Sequence, residues 1–281
     1  MITLENLTAA VVDSFKGIPE PRQREIVQAC VRSLHVFARS TRLSHTEWRA
    51  AISFLHRVGS LSNDQRSEFT LLSDVLGVSS LVDLLGSRPG ATPGSVLGPF
   101  HTAGSPWFDN PANLVRDNAG ETVCLEGRVL DTEGQPLEGA VVDFWQNADN
   151  GLYWQVDPAQ TQDNLRCRLR TDTQGRYRII TIRPQPYCIP TDGPVWKDVV
   201  EPAGRTAWRP AHFHMIIEAE GHHSLITEIF DEQDPYLSTD AVFGVRQALV
   251  ARYQTPTQGL PTLHMDIRLA AKTSLPRSTS T

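Results

Sequence analysis

The chain has 281 residues, of which 40% are hydrophobic and 21% charged, and its formal net charge is -6. This composition is typical of a globular protein with one large or two modest domains. The acidic balance and the lack of a Lys/Arg block argue against nucleic-acid binding, and no stretch reaches the ~20 apolar residues that cross a bilayer.

The N-terminus and the cysteines bear on the cellular compartment. Residues 1–7 have neither the basic region nor the long apolar run of a signal peptide. The four cysteines show no CxxC pair and no dense disulfide pattern, although their even number leaves disulfides open. We therefore expect a cytoplasmic protein in a reducing environment.

Helical patterns fill the first third of the chain. The i, i+3, i+4, i+7 spacing of an amphipathic helix is followed by Val27, Cys30, Val31 and Leu34. A capping-box pattern at residues 44–47 precedes a second apolar stripe. Residues 62–65 are a candidate cap for a third helix, which carries Phe69 and Leu72.

The character of the sequence changes near residue 90. Residues 86–98 are rich in Pro and Gly, as loops are. Short apolar and β-branched runs separated by turns then favour a β-sandwich, with strands expected at residues 123–130, 140–145, 177–182, 212–219 and 225–230. One more helix is expected at residues 241–252. The predicted fold is mainly β: a helical region at 1–90, an antiparallel β-sandwich at 91–270 and a disordered tail at 271–281.

The most informative motif is the pair His212 and His214. Their neighbours predict a strand, and alternate strand side chains point to the same face. Two imidazoles on one face can hold one metal ion, although such a pair is more often hydrogen-bonded and metal-free. The chain has no His-Glu-x-x-His motif and no obvious acid for a site of two histidines and one carboxylate.

Two tyrosines are candidate partners for the histidines. Tyr153 and Tyr187 each lie just beyond the end of a predicted strand. Most such tyrosines are packed and hydrogen-bonded through the hydroxyl. A phenolate is nevertheless a hard, anionic ligand that suits a trivalent ion such as Fe(III), which lowers the phenol pKa far below about 10.

At this point a family resemblance is plain. Five motifs in this order resemble the intradiol ring-cleaving dioxygenases, at residues 127–129, 145–148, 151–153, 186–194 and 209–214. The resemblance extends over residues 71–249, and the helical first third is similar to that of the hydroxyquinol and catechol 1,2-dioxygenase branch.

The resemblance implies one non-haem Fe(III) per subunit, bound by Tyr153, Tyr187, His212 and His214. In this family the tyrosine at the position of Tyr187 leaves the metal when a diol binds, and its phenolate accepts a proton. The ring then opens between its two oxygenated carbons to give a dicarboxylic acid. Arg209 is expected to stabilise negative charge on the substrate. Glu228 lies where relatives often carry Gln, and we expect it to bond Arg209 or a ligand, or to face solvent.

The substrate is predicted from the pocket positions that the resemblance implies: Leu71, Asp74, Val96, Leu97, Gly98, Pro99, Phe100, Ile189 and Pro190, together with Arg209. Asp74 is explained equally well as a solvated acid on a helix or as part of a pocket wall. In a pocket wall it requires a donor, which the third hydroxyl of hydroxyquinol supplies and catechol does not. Trp196, where relatives commonly carry Gly, is expected to narrow the pocket mouth. We predict cleavage of hydroxyquinol to 3-hydroxy-cis,cis-muconate and maleylacetate, with catechol or a substituted diol as the alternative.

The resemblance also implies a homodimer through the N-terminal helices, with a phospholipid as a candidate ligand at that interface. Two other classes of function stay open on the residues alone. One is a non-catalytic β-sandwich binding module, because one fold hosts many functions. The other is a zinc hydrolase built on His212 and His214, which lacks a third ligand of the usual type.

Overall fold

The computed structural model describes residues 1–63, 66–255 and 257–272. Within them, α-helices precede the strands: α1 (Leu7–Ser14), α2 (Pro21–Ser40), α3 (His45–Leu61), α4 (Glu68–Val75) and α5 (Val78–Gly86). The chain forms two compact units, Met1–Arg57 and a second that begins at Val58. Residues 273–281 of the predicted tail lie outside the described residues, and the predicted boundary at residue 90 stays a prediction.

The first unit contains the predicted amphipathic helix as α2. Glu20 caps it by accepting from the backbone N–H groups of Arg22 and Gln23, and Pro21 occupies the first turn. The predicted capping box of α3 is confirmed, since Ser44 N donates to Glu47 Oε2 at 2.8 Å and Glu47 N to Ser44 Oγ at 3.3 Å.

The predicted start of the next helix is wrong. Neither Asn63 nor Arg66 is helical, and Asn63 N donates to the Arg66 carbonyl at 2.8 Å. The helix α4 begins only at Glu68, where Ser67 Oγ accepts from Thr70 N at 3.1 Å. A cap at residues 62–65, of which 64 and 65 lie outside the described residues, is therefore replaced by Ser67.

Two five-stranded sheets form the β-sandwich. Their strands are β1 (Ala112–Asn113), β2 (Thr122–Asp131), β3 (Val141–Trp145), β4 (Arg166–Arg170), β5 (Arg176–Ile182), β8 (His212–Glu218), β9 (Leu225–Asp231), β10 (Val250–Ala251), β11 (Thr262–His264) and β12 (Ile267–Leu269). The first sheet has the order β1-β5-β2-β11, with β12 also on β2, and the second β10-β9-β8-β3-β4. A separate pair joins β6 (Tyr187–Cys188) to β7 (Trp208–Arg209).

The sheets are mixed rather than purely antiparallel as expected. The long pairs β2–β5, β3–β4, β3–β8 and β8–β9 are antiparallel. The short strands β1, β10, β11 and β12 pair in parallel with their neighbours. Parallel pairing requires the chain to cross over before it returns to the sheet, and the hairpin-like spacing of the sequence does not reveal such crossovers.

The strand β8 is buried on both of its faces. Phe213 and Met215 enter the main hydrophobic core, together with Val142 and Phe144 of β3. Side chains alternate along a strand, so His212 and His214 point to the opposite face. They are buried there as well, which places both imidazoles inside the protein but outside the sandwich core.

The helix expected at residues 241–252 is absent from this described segment. The chain makes a 3-10 turn at Gln247–Leu249 and then pairs as β10 with β9. The Asp240 carboxylate accepts from the backbone N–H groups of Val242 and Gly244, at 3.3 and 2.7 Å. Phe243 takes a left-handed backbone conformation, with a φ of +57°, and this interrupts any helix that starts at residue 241.

Among the residues that the structure describes, no helix is long and apolar enough to cross a membrane by itself, and α4 and α5, bent by 74°, meet that criterion of length and composition only as a pair.

Candidate active site

The two histidines of β8 bring their ring nitrogens together. His212 Nε2 lies 3.1 Å from His214 Nε2. His212 Nδ1 lies 2.6 Å from the carbonyl of Pro210, which can only accept, so Nδ1 carries the proton and Nε2 presents its lone pair. Burial and then Arg209 lower the pKa of His212 to about 4, and burial and then His212 hold that of His214 well below its usual value. Both rings are therefore neutral at pH 7.

Tyr153 and Tyr187 lie beside this pair. Tyr153 Oη is 3.4 Å from His212 Nε2, and the two tyrosine rings pack edge to face with centroids 5.5 Å apart. Burial raises the pKa of Tyr187 to about 12 and that of Tyr153 well above its ordinary value. The structure thus brings the four predicted ligands together, and only a strongly charged cation would turn these phenols into phenolates at neutral pH.

Arg209 is held by two buried carboxylates. Its Nη1 and Nη2 bond Glu228 Oε1 and Oε2 at 2.8 and 3.0 Å, and its Nε bonds Asp240 Oδ1 at 2.9 Å. Burial opposes the charge on Arg209, but Asp240 and Glu228 outweigh it and hold its pKa well above the usual value. The guanidinium is therefore a fixed positive charge, with Nη1 3.3 Å from His212 Nε2.

Glu228 corrects the expectation that no acid accompanies the histidines. It lies on β9 directly opposite His214 in the antiparallel register. One ligand atom each from His212, His214 and Glu228 all lie within 4.8 Å of one another. Cross-strand pairing, which motif spacing along the chain does not reveal, brings the carboxylate to the histidines.

The chemistry of this donor set fits a metal ion. Unprotonated Nε2 of His212 faces His214 Nε2, Tyr153 Oη and Glu228 Oε1, the last at 3.4 Å. So many lone pairs in a buried space need a proton or a cation between them. Arg209 supplies one positive charge to two carboxylates, so the charges of the site also leave room for a cation. Imidazole, phenol and carboxylate donors together suit a transition metal such as iron.

Gly98, predicted to line the pocket, packs against His214. A Cβ at this position would lie 3.1 Å from His214 Cε1, and its φ of +73° favours glycine. The His214 ring also stacks on Trp145, with centroids 4.8 Å apart and an interplanar angle of 4°. Two rigid neighbours therefore fix the orientation of this imidazole.

An open cavity of about 420 Å³ adjoins the tyrosines. Of the predicted pocket positions, Phe100 and Pro190 line it, and Phe100 stacks on Tyr153 with centroids 4.7 Å apart. Arg66 and Asp192 also line it, and sequence reasoning did not single them out. These two side chains form an ion pair of 2.8 Å at the cavity.

The other predicted pocket positions lie deeper in the structure or flank the tyrosines. Four are buried, namely Leu71, Asp74, Val96 and Ile189. Leu97 packs on the aromatic cluster that contains Tyr153 and Tyr187, and Pro99 is half-buried. Trp196 is half-buried at the start of a π-helical segment, Trp196–Val200, and is not among the described residues that line the cavity.

Asp74 combines burial with an unusual protonation equilibrium. It is 1% exposed, and its Oδ1 has no hydrogen-bond partner among the described residues. Burial raises its pKa to about 6, against a weaker lowering by Ser79 and Arg209. A buried carboxyl group with an unpartnered oxygen is able to accept a hydrogen bond from a ligand.

Three residues that organise the site were missed by sequence reasoning. Asp240 holds Arg209, and Ser95 Oγ bonds Glu228 Oε2 at 2.6 Å and the Gly244 carbonyl at 2.7 Å. A Cβ on Gly244 would lie 2.7 Å from both Arg209 Nη2 and Glu228 Oε2. None of these residues belongs to a motif, because their roles arise from contacts between distant segments.

Comparisons with known proteins agree with this geometry. A family model described as Dioxygenase matches residues 96–271, and one described as Catechol dioxygenase N terminus matches residues 20–92. A hydroxyquinol 1,2-dioxygenase from a Rhizobium species is 42% identical over 253 residues, 89% of this chain and 85% of the relative. A 6-chlorohydroxyquinol 1,2-dioxygenase from Cupriavidus pinatubonensis is 40% identical over 266 residues, 94% of this chain and 96% of the relative.

Solved structures give the same result. The hydroxyquinol 1,2-dioxygenase of Pseudomonas putida superposes with a TM-score of 0.84 at 40% identity, covering 96% of this chain and 99% of that one. The catechol 1,2-dioxygenase of Pseudomonas arvilla superposes with a TM-score of 0.81 at 27% identity, covering 98% and 94%. The chain is therefore a dioxygenase, and it belongs to the intradiol ring-cleavage family, in the branch of the hydroxyquinol and catechol 1,2-dioxygenases.

Proposed function

We propose that this enzyme cleaves hydroxyquinol with O2 at one non-haem Fe(III) per subunit, held by Tyr153, Tyr187, His212 and His214. The observation that carries the proposal is the convergence of Tyr153 Oη and His214 Nε2 on His212 Nε2, at 3.4 and 3.1 Å. The names of relatives at 42% and 40% identity support the hydroxyquinol assignment. The product is 3-hydroxy-cis,cis-muconate, which tautomerises to maleylacetate.

The residues around the metal have distinct tasks. When bound, a ferric ion draws electron density from a chelated diol and makes the ring reactive toward O2. Tyr187, which pairs with Arg209 across β6 and β7, would as a phenolate accept a proton at Oη when the diol binds. The fixed charge of Arg209 stabilises the negative charge that develops on the substrate.

Asp74 is the proposed determinant of the substrate. Its buried Oδ1 lacks a partner among the described residues, and the third hydroxyl of hydroxyquinol is able to donate to it. Catechol has no such donor and would leave the carboxyl unpaired, at a cost of about 1–3 kcal/mol. In this proposal the bound substrate extends from the cavity that Phe100 and Pro190 line toward the buried Asp74 and the other positions that the family resemblance implies.

The experiment has a spectroscopic and a kinetic part. Purified protein should be coloured by tyrosinate-to-iron charge transfer, and its band should move to longer wavelength when hydroxyquinol is added without oxygen. kcat/KM should be higher for hydroxyquinol than for catechol. A catechol preference of tenfold would overturn the substrate, and a colourless protein that stays inactive after iron is added would favour a binding module.

We also propose that the protein is a cytoplasmic homodimer joined through its N-terminal helices. Leu34, Phe37 and Trp48 are each about half exposed in the first unit, and such apolar faces favour association. We further propose that a phospholipid binds at this dimer interface. Light scattering of the purified protein tests the dimer, and mass spectrometry of a solvent extract tests the lipid.

A further inference from the structure

Glu228 and His214 face each other across two neighbouring strands. They are paired in the register of β8 and β9. Glu228 Oε1 lies 3.5 Å from His214 Nδ1, and both side chains are at most 2% exposed. His214 Nδ1 is a buried nitrogen without a hydrogen-bond partner among the described residues, and a buried polar atom left unpaired is costly. Glu228 is an acceptor at the edge of hydrogen-bonding distance.

The tautomer of His214 decides which of its nitrogens is available to a metal. Its Nε2 faces the lone pair of His212 Nε2 at 3.1 Å. If Nδ1 carries the proton, Nε2 presents a lone pair to the same point, and Nδ1–H points toward a carboxylate. Hydrogen bonds around a catalytic centre are often long before the ligand binds and shorten afterwards.

The carboxylate is held in place on both of its oxygens. Its counter-charge is the buried guanidinium of Arg209, whose Nη1 and Nη2 donate to Oε1 and Oε2 at 2.8 and 3.0 Å. Ser95 Oγ and Arg209 Nη2 engage Oε2, at 2.6 and 3.0 Å. Oε1 is left to Arg209 Nη1 and to the two histidines.

We propose that Glu228 is a positioning residue for the metal centre: it accepts a hydrogen bond from His214 Nδ1, fixes the tautomer that leaves Nε2 free, and increases the basicity of this ligand. Carboxylates that bond a metal-ligating histidine in this way typically contribute 10- to 100-fold, as an order of magnitude, to metal affinity or activity. The inference rests on the proposed function, because it takes His214 to be a metal ligand.

Asp240 provides a matched control. It is also a buried carboxylate in an ion pair with Arg209, at 2.9 Å. Within the described residues, the carboxylate that lies within 4 Å of the ring nitrogens of His212 and His214 is that of Glu228. A variant of Asp240 therefore weakens the hold on Arg209 without removing the acceptor that faces His214.

The test compares Glu228→Gln with Asp240→Asn in two measurements that do not depend on turnover. The first is competition between the protein and a chelator, for iron in the holoenzyme and for cobalt(II) in the apoprotein. Glu228→Gln should lower the affinity by about 10-fold or more, and Asp240→Asn by less than about twofold. The second is the charge-transfer band of the ferric protein, which should move to longer wavelength in Glu228→Gln alone, because iron becomes a better electron acceptor.

Equal affinity in Glu228→Gln and wild type, or equal losses in both variants, would overturn the proposal. If Glu228→Gln does not fold, Ser95→Ala releases one oxygen of the carboxylate and should weaken metal binding by a smaller factor, whereas unchanged affinity would contradict the role. An iron-free, inactive wild-type protein would contradict the proposed function only, since cobalt(II) binding by the apoprotein still measures the effect of Glu228.

Discussion

Arg209 and Glu228 form a bidentate ion pair, with nitrogen–oxygen distances of 2.8 and 3.0 Å, and their side chains are at most 1% exposed. The pair links β7 to β9, and Asp240 binds the same guanidinium. Both charged groups are removed from water, so each is stabilised by its partner's opposite charge. The pair also sets the charge next to His212, where the metal is proposed to bind.

Arg209→Met should destabilise the apoprotein strongly. Removal of the guanidinium leaves Glu228 and Asp240 as buried carboxylates without a counter-charge, a change that typically costs about 3–5 kcal/mol. Urea unfolding of the apoprotein measures the loss. As a control, Arg178→Met breaks the more exposed pair with Glu126 and should cost at most about 1 kcal/mol. If the two variants lost similar amounts of unfolding free energy, burial would not be the reason that breaking the Arg209 pair is costly.

Asp74 should make the stability of the apoprotein depend on pH. Its pKa of about 6 in the folded state lies above the ordinary value, so the folded state binds the proton more tightly than the unfolded one. The stabilisation is present below about pH 4 and is lost as the pH rises through 6. Asp74→Asn should therefore be more stable than wild type at pH 7.5, by at most about 2–3 kcal/mol.

Urea unfolding at a series of pH values measures this difference. Asp83, whose pKa burial also raises to about 6, stays present in both proteins and cancels in the comparison. A difference that does not shrink between pH 7 and pH 4 would show that the Asp74 carboxyl is not responsible.

The same substitution should change substrate preference. An asparagine at position 74 keeps the size of the side chain but removes the strong anionic acceptor for the third hydroxyl of hydroxyquinol. We expect kcat/KM for hydroxyquinol to fall about tenfold or more, with a smaller change for catechol. Steady-state rates on the two substrates give the ratio, and an unchanged ratio would exclude Asp74 as the determinant.

Gly244→Ala should disturb the site through packing. The new Cβ would lie 2.7 Å from both Arg209 Nη2 and Glu228 Oε2, so the buried ion pair has to shift. We expect a loss of about 1–3 kcal/mol in unfolding free energy and a fall in kcat. Gly86→Ala is the control, because nothing lies within 4 Å of its added Cβ. A Gly244→Ala enzyme with wild-type stability and kcat would contradict this packing argument.

Tyr153→Phe and Tyr187→Phe should each weaken the visible charge-transfer band, because each removes one proposed phenolate. Tyr253→Phe is the matched control: Tyr253 is partly buried and its hydroxyl has no hydrogen-bond partner among the described residues. Absorption spectra normalised to iron content measure the effect. A band of wild-type intensity in both site variants would exclude tyrosinate ligation.

Local patterns in the sequence predicted several of the helices and strands of this protein. The periodicity of α2 and the capping box of α3 depend on residues within a few positions of one another, and the structure confirms both. The alternation in β8 likewise predicted that His212 and His214 share a face. The helix expected at residues 241–252 is wrong because Phe243 takes a left-handed backbone conformation, and its carbonyl accepts from Ser80 Oγ of α5, a residue far away in the sequence.

The sequence by itself determined the identity of the four proposed ligands and the family, because separated motifs in a fixed order carry that information. Only the tertiary structure decided that Glu228 faces His214, that Asp240 holds Arg209 and that Gly98 backs the His214 ring. These contacts join segments far apart in the chain. Strand register and the exclusion of water from a shared interior create them, and neither leaves a local pattern in the sequence.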